Sequence, residues 1–144
     1  YVWSMARARA ATSTIELRPA CQQPPGETLA AAALALGLTE SLPELADFAA
    51  RALGPDPWPA LIRYRRAALR NGIRAAEPAP GFLEGCVKIA ESGLNRRNRD
   101  EAVFLRPLWE RLARRETPAD RARAAFRQDG IEGYLHAVAF PRET

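Results

Sequence analysis

The stretch TSTIELRPACQQPPGETLAAAALALGL, residues 12–38, contains the change of character on which the fold turns. Its first part alternates, with Thr14, Glu16 and Arg18 on one side, Ser13, Ile15 and Leu17 on the other, and Pro19 closing the run. A period of two predicts a strand, and a proline ends it because it has no N–H to give to a ladder. After Pro24-Pro25-Gly26 the composition switches to alanine and leucine over residues 27–38, which together have the highest helix propensity in the chain. The expected fold class is therefore mainly α. Residues 1–25 contribute one or two strands, an earlier one being sought at residues 2–5, and residues 26–144 contribute about six helices.

The helical expectation extends along the rest of the chain. Ser41-Leu42-Pro43-Glu44 has the form of a capping box opening a helix to about Leu53, with Gly54-Pro55 as its stop. Trp58, Leu61, Ile62, Leu69 and Ile73 make a helical stripe, and residues 77–81, Glu-Pro-Ala-Pro-Gly, form the most linker-like segment. Leu83, Val87, Ala90 and Leu94 mark a helix that ends in the basic run 95–99. Asn98, with Glu101, is placed to cap the next, whose stripe is Phe104, Leu105, Leu108 and Leu112. Thr117-Pro118-Ala119-Asp120 opens a further helix with a side-chain cap and an N1 proline, and a last short helix is expected over 130–140. Trp58, Phe82, Phe104 and Trp109 fall at helical spacings and are assigned to the core.

A chain of 144 residues, 47% hydrophobic and 26% charged, is the size and composition of one globular domain. Its longest apolar run, residues 29–38, is about half of the ~20 residues that cross a bilayer, so no membrane association is expected. The net charge of +4 is modest for a nucleic-acid binder, and the preponderance of arginine, with Lys88 the one lysine, fits the coding bias of a GC-rich genome. Cys21 and Cys86 lack metal-ligand spacing and there is one histidine, His136, which points to free thiols in a reducing cytoplasm. The chain begins at Tyr1 without an initiator methionine or a signal sequence, as a processed chain or a fragment would. Two strands alone do not make a stable sheet, so the remainder of their sheet is expected from elsewhere.

Chemistry concentrates on the polar side of the strand. Glu16 and Arg18 are two residues apart and project together, either as a solvent-facing ion pair or, in a cleft, as a metal ligand beside a phosphate-binding guanidinium. Cys21, Cys86 and His136 are read as a spectator thiol, a small core residue and a packed or partly exposed helix histidine. Arg63, Arg65, Arg66, Arg70 and Arg74, with Tyr64 among them, are read as a solvated face or one that meets an acidic partner, in preference to a nucleic-acid surface.

Several segments, taken in order, resemble the later part of bacterial glutamate–cysteine ligases and related carboxylate–amine ligases. They are Trp3-Ser4-Met5-Ala6-Arg7, Thr14-Ile15-Glu16-Leu17-Arg18, Gln23-Pro24-Pro25-Gly26-Glu27, Ile89 to Arg97, Asp100 to Leu105 and Thr117-Pro118-Ala119-Asp120. The resemblance implies an α+β fold like that of glutamine synthetase, of which this chain would be the C-terminal part. It implies ATP and Mg2+ as cofactors. It also implies glutamate and an amino-acid amine such as cysteine as substrates, joined through a γ-glutamyl phosphate. Glu16 matches the metal-ligating glutamate of the family's Glu-x-Arg strand, Arg18 its arginine facing the transferred phosphate or substrate carboxylate, and Arg7 the arginine of the Trp-x-x-Ala-Arg segment. Cys21 stands where members of the family commonly have Asp, and Met5 where some do. The family's N-terminal portion, with most of the sheet and the nucleotide contacts, has no counterpart here. A competent ligase would need that portion or a second subunit to complete the site.

Two other classes stay open on the residues themselves. One is a non-catalytic helical interaction or regulatory module, suggested by Cys21 and Met5 in place of carboxylates. The other is a basic helical RNA- or DNA-binding domain, suggested by Arg63 to Arg74.

Overall fold

The computed structural model describes residues 6–17 and 23–139. Strands β1 (Ala6–Arg9) and β2 (Thr14–Leu17) form an antiparallel hairpin, joined through a 3-10 turn at Ala10–Thr12 and Ser13 at φ 51°. The strand sought at residues 2–5 lies outside the described residues; the partner of β2 is instead the Ala-Arg-Ala-Arg segment that follows it. That segment does alternate with period two, but alanine gives the alternation too little hydrophobic contrast to announce a strand.

The rest is helical, as expected: α1 (Ala30–Glu40), α2 (Leu42–Leu53), α3 (Trp58–Asn71), α4 (Phe82–Arg97), α5 (Arg106–Arg114) and α6 (Pro118–Val138), with 3-10 turns at Gly72–Arg74 and Glu101–Leu105. The helix expected from residue 130 is the second limb of α6, which breaks at Asp129 and Gly130; Gly130 has φ 62° and ψ −147°. Thr117 caps α6 with its side chain, as expected, and the cap is a full capping box, the Thr117 hydroxyl accepting from the Asp120 amide while the Asp120 carboxylate accepts from the Thr117 amide.

The core is the crossing of α1 over α4. Ala30, Ala33 and Gly37 form a buried row on α1, and Val87, Ala90, Gly93 and Leu94 face it from α4. The approach brings backbone onto backbone. A Cβ at Gly37 would lie 2.7 Å from the carbonyl carbon of Ala90, and one at Gly93 would lie 2.5 Å from the Ser41 hydroxyl. Leu105 plugs the cluster, and Leu34, Leu36, Leu108, Trp109 and Leu112 close around it. Beside this crossing, Phe48 of α2 stacks on Phe82 of α4 with ring centroids 5.3 Å apart, over a position where Gly85 has no side chain to obstruct the ring.

Three local expectations are corrected. Ser41 does not cap α2; it is buried, and its hydroxyl donates to the Ile89 carbonyl (3.2 Å) and accepts from Arg96 (2.8 Å). Glu44, expected to close that box, pairs with Arg96 at 3.1 Å. Asn98 is not the cap of the next helix but the left-handed residue that caps the C-terminus of α4, and Asp100 precedes the following turn. Of the aromatics assigned to the core, Phe82 is buried and Trp109 packs on the central cluster, but Trp58 and Phe104 are exposed.

Replacing Gly37 by Ala forces α1 away from α4 and is expected to destabilise the fold by about 1–3 kcal/mol. Urea unfolding of Gly37→Ala measures it; an unchanged midpoint would mean that the helices do not meet at this closeness.

Candidate functional site

Two places gather the chemistry-bearing residues. The first is the hairpin. Its register sets Arg7 directly opposite Glu16, with Arg9 opposite Thr14. The two residues carried onto the strands by family resemblance are thus cross-strand partners in backbone position, a relation that neither segment shows alone. Glu16 is half-buried. Arg18, Cys21 and Met5 lie outside the described residues. A Mg2+ ion is held by one or two carboxylates together with phosphate oxygens and water. Glu16 is a single carboxylate, and no group of three or more His, Cys, Asp or Glu able to hold a metal lies among the described residues. A metal at this hairpin would need its further ligands from phosphate, water or another segment.

The second is built where the Gln23-Pro24-Pro25-Gly26-Glu27 turn meets α5 and the start of α6. Glu27 accepts from Arg111 through both Nε (3.2 Å) and a terminal nitrogen (2.5 Å), and its other oxygen accepts from Arg121 at 2.7 Å. The same Arg111 donates to the Gln23 side-chain oxygen at 2.8 Å. Both Glu27 and Arg111 are largely buried, at 18% and 15% side-chain exposure. Burial alone would raise the Glu27 carboxyl, but the hydrogen bonds and charges of Arg111 and Arg121 outweigh it and hold the group below its ordinary range. One residue before Arg121, Asp120 is held far lower by the hydroxyl and amide of Thr117, with help from Arg123 and Arg74.

Beside this cluster runs an open groove of about 700 Å³, floored and walled by Pro24, Pro118, Phe126, Ile131, Tyr134 and Val138, with Gln23 and Arg121 on its rim. It exists because α6 folds back at Gly130; Gly133 of the second limb packs so closely on the first that a Cβ there would lie 2.7 Å from the Ala125 carbonyl oxygen. The walls are mostly apolar, and the two arginines that line it, Arg121 and Arg123, are already paired with Glu27 and Asp120. A groove of this kind accommodates an apolar group rather than a polyphosphate.

No family model, curated protein or solved structure matches this chain.

The remaining candidate groups resolve simply. Cys86 is half-buried, and burial, with the Glu77 carboxylate nearby, pushes its thiol up to about 11, the state of an unreactive structural cysteine. His136 is exposed on the second limb of α6. The basic run at the end of α4 is internal scaffolding. Arg97 bridges Glu40 and Glu101, both at 2.6 Å, and Arg96 donates to the Glu40 carbonyl that ends α1. No helix among the described residues is long and apolar enough to cross a membrane.

Sequence reasoning named the Gln-Pro-Pro-Gly-Glu turn but assigned Glu27, Arg111 and Arg121 no role. Their partners lie 84 and 94 positions apart, beyond any local pattern. The available hint was a lone acid before an alanine-rich helix, in a chain with more arginines than carboxylates.

Both depressed carboxylates predict acid sensitivity. Folding favours their ionised forms, so their stabilisation is present in full above the ordinary carboxylate pKa of about 4 and is lost as pH falls below it. Glu27→Gln is expected to cost about 1.5–3 kcal/mol at pH 7 and to flatten the fall in stability between pH 5 and 3. Urea midpoints across that range give the comparison. For Cys86, a Cys21→Ser variant at pH 8 is expected to react with an aromatic disulfide reagent about tenfold or more slowly when folded than in denaturant; equal rates would contradict its burial.

Proposed function

We propose that this chain is the helical C-terminal segment of an ATP-dependent carboxylate–amine ligase similar to glutamate–cysteine ligases, in which its hairpin joins a sheet completed by another segment or subunit. The observation that supports the reading is the opposition of Arg7 and Glu16 in the hairpin register. A carboxylate for Mg2+ and a guanidinium for an anionic substrate belong together at a phosphoryl-transfer site, where the metal and fixed cations neutralise charge on the transferred group. Glu16 would hold the Mg2+ that bridges ATP, Arg18 would face the phosphate or the carboxylate of glutamate, and Arg7 would assist from the neighbouring strand. The Gln23–Glu27 turn, tied to Arg111 and Arg121, fixes where the chain leaves the sheet and enters the helices.

A second reading has its own support. In the cluster around Glu27 and Asp120, the guanidiniums of Arg74, Arg111, Arg121 and Arg123 are engaged in holding elements of this chain together. This is the pattern of a helical scaffold, and it fits a non-catalytic interaction module that retained the architecture.

The deciding experiment purifies the native material with its co-purifying polypeptides and assays ADP release dependent on glutamate and an added amine such as cysteine. The ligase reading expects turnover, with Glu16→Ala and Arg18→Ala each lowering kcat by about a hundredfold or more. Turnover unaffected by both variants removes the site assignment, and ATP binding without turnover favours the scaffold.

A further inference from the structure

α3 has one side toward the chain and one side turned outward. Ala60, Leu61, Tyr64, Ala67 and Ala68 are partly buried. Trp58, Ile62 and Leu69 are 68%, 48% and 74% exposed. These three, with Arg65 between Ile62 and Leu69, follow at steps of four, three and four residues and so fall in one line, about 16 Å long at the rise of an α-helix. Arg63, Arg66 and Arg70 are exposed beside it, and the helix carries no carboxylate. Among the described residues no Asp or Glu forms an ion pair with Arg63, Arg65, Arg66 or Arg70, while Arg74, Arg96, Arg97, Arg106, Arg111, Arg121 and Arg123 are paired within the chain. The other arginines of the helical part with no ion pair, Arg51, Arg99, Arg114, Arg115 and Arg127, lie on or beside other helices, so that four together on one helix is particular to α3.

We infer that α3 is a docking helix that lies in an apolar groove of a protein partner whose walls carry carboxylates, one of them at the position of Arg65. Charge complementarity identifies the partner's chemistry: uncompensated arginines around an apolar line call for an acidic, not a neutral, groove. Tryptophan and arginine are also the side chains that most often dominate such contacts, and a helix read through anchors on one face is an established recognition mode. Arg65 separates this from a lipid surface. A helix lying on a bilayer sinks its apolar line deepest, and a guanidinium in the middle of that line is costly there. A protein groove can instead present a fixed carboxylate in bidentate geometry. Nucleic acid would suit the arginines but would leave Trp58, Ile62 and Leu69 against a phosphate-lined surface. The inference stands on α3 alone and is independent of any chemistry at Glu16.

The test places a benzophenone side chain at position 62 of the full chain, in cells of the source organism, with position 132 on α6 as control. Irradiation is expected to join position 62, and not 132, to one protein, through a peptide in which Asp or Glu stands among apolar residues. With that protein purified, Arg65→Glu and Trp58→Ala are each expected to weaken binding about tenfold or more. Circular dichroism confirms that the variants are folded, and a Glu-to-Arg or Asp-to-Arg change at the cross-linked carboxylate is expected to restore binding to Arg65→Glu. The proposal is overturned if no adduct forms at position 62, if the adduct is a second copy of this chain, or if Arg65→Glu binds the purified protein as tightly as the native chain. Arginine-dependent binding to a mixed-sequence oligonucleotide duplex, or to phosphatidylserine–phosphatidylcholine vesicles, in place of a protein overturns it equally.

Discussion

The close approach of α1 and α4 is the constraint on which the other helices depend. It requires that positions 37 and 93 carry no side chain, because each would meet backbone or a buried hydroxyl that has no room to move. Bringing two helices together at this distance places many atoms within dispersion range without large side chains, so a core rich in alanine can still cohere. The cost of such proximity is that polar groups are trapped at the seam. Ser41 and Arg96 resolve this between them, the hydroxyl reaching the Ile89 carbonyl and the guanidinium the Glu40 carbonyl that α1 leaves open. Among the described residues, no buried side-chain nitrogen or oxygen lacks a hydrogen-bond partner.

Away from this seam, carboxylates replace apolar area as the connectors. Glu27 ties the entry of α1 to α5 and α6, and Asp120 ties α6 to the 72–74 turn through Arg74. The Glu27–Arg111 pair has both partners largely buried, the setting in which geometry makes an ion pair worth more than a surface pair, while Arg74 and Arg121 reach their carboxylates from the exposed side. α6 carries no buried residue, so these ties at its first turn do much to fix its position.

How much of this was legible in the sequence varies with the kind of signal. The Thr117 box and the break at Gly130 were readable because each is a local matter of capping and of left-handed backbone. The Ser41 segment, Ser-Leu-Pro-Glu, has the same kind of pattern, a hydroxyl residue three before an acid with a proline between, yet tertiary contact with Ile89 and Arg96 claimed its hydroxyl. The α3 stripe was real as periodicity, but a period reports that a face is apolar, not that anything in the chain covers it; Trp58 and Leu69 remain exposed. The row Ala30, Ala33 and Gly37 was hidden for the opposite reason, since a helix made largely of alanine has no contrast from which to read a buried face. At the hairpin, the alternation predicted β2 and its polar side, while the pairing of Glu16 with Arg7 depends on a register set by the turn at 10–13, which no local pattern indicated.

The fold-back of α6 makes the neighbouring groove conditional on a single joint. Gly130 has a backbone conformation that residues with a Cβ adopt only under strain, and the second limb, residues 131–138, supplies a wall through Ile131, Tyr134 and Val138. The volume between the limbs thus depends on the backbone at one residue and on the close packing of Gly133 against Ala125. A ligand seated there would, by linkage, slow amide hydrogen exchange along 131–138, because binding to the packed limb and opening of that limb would draw on the same free energy.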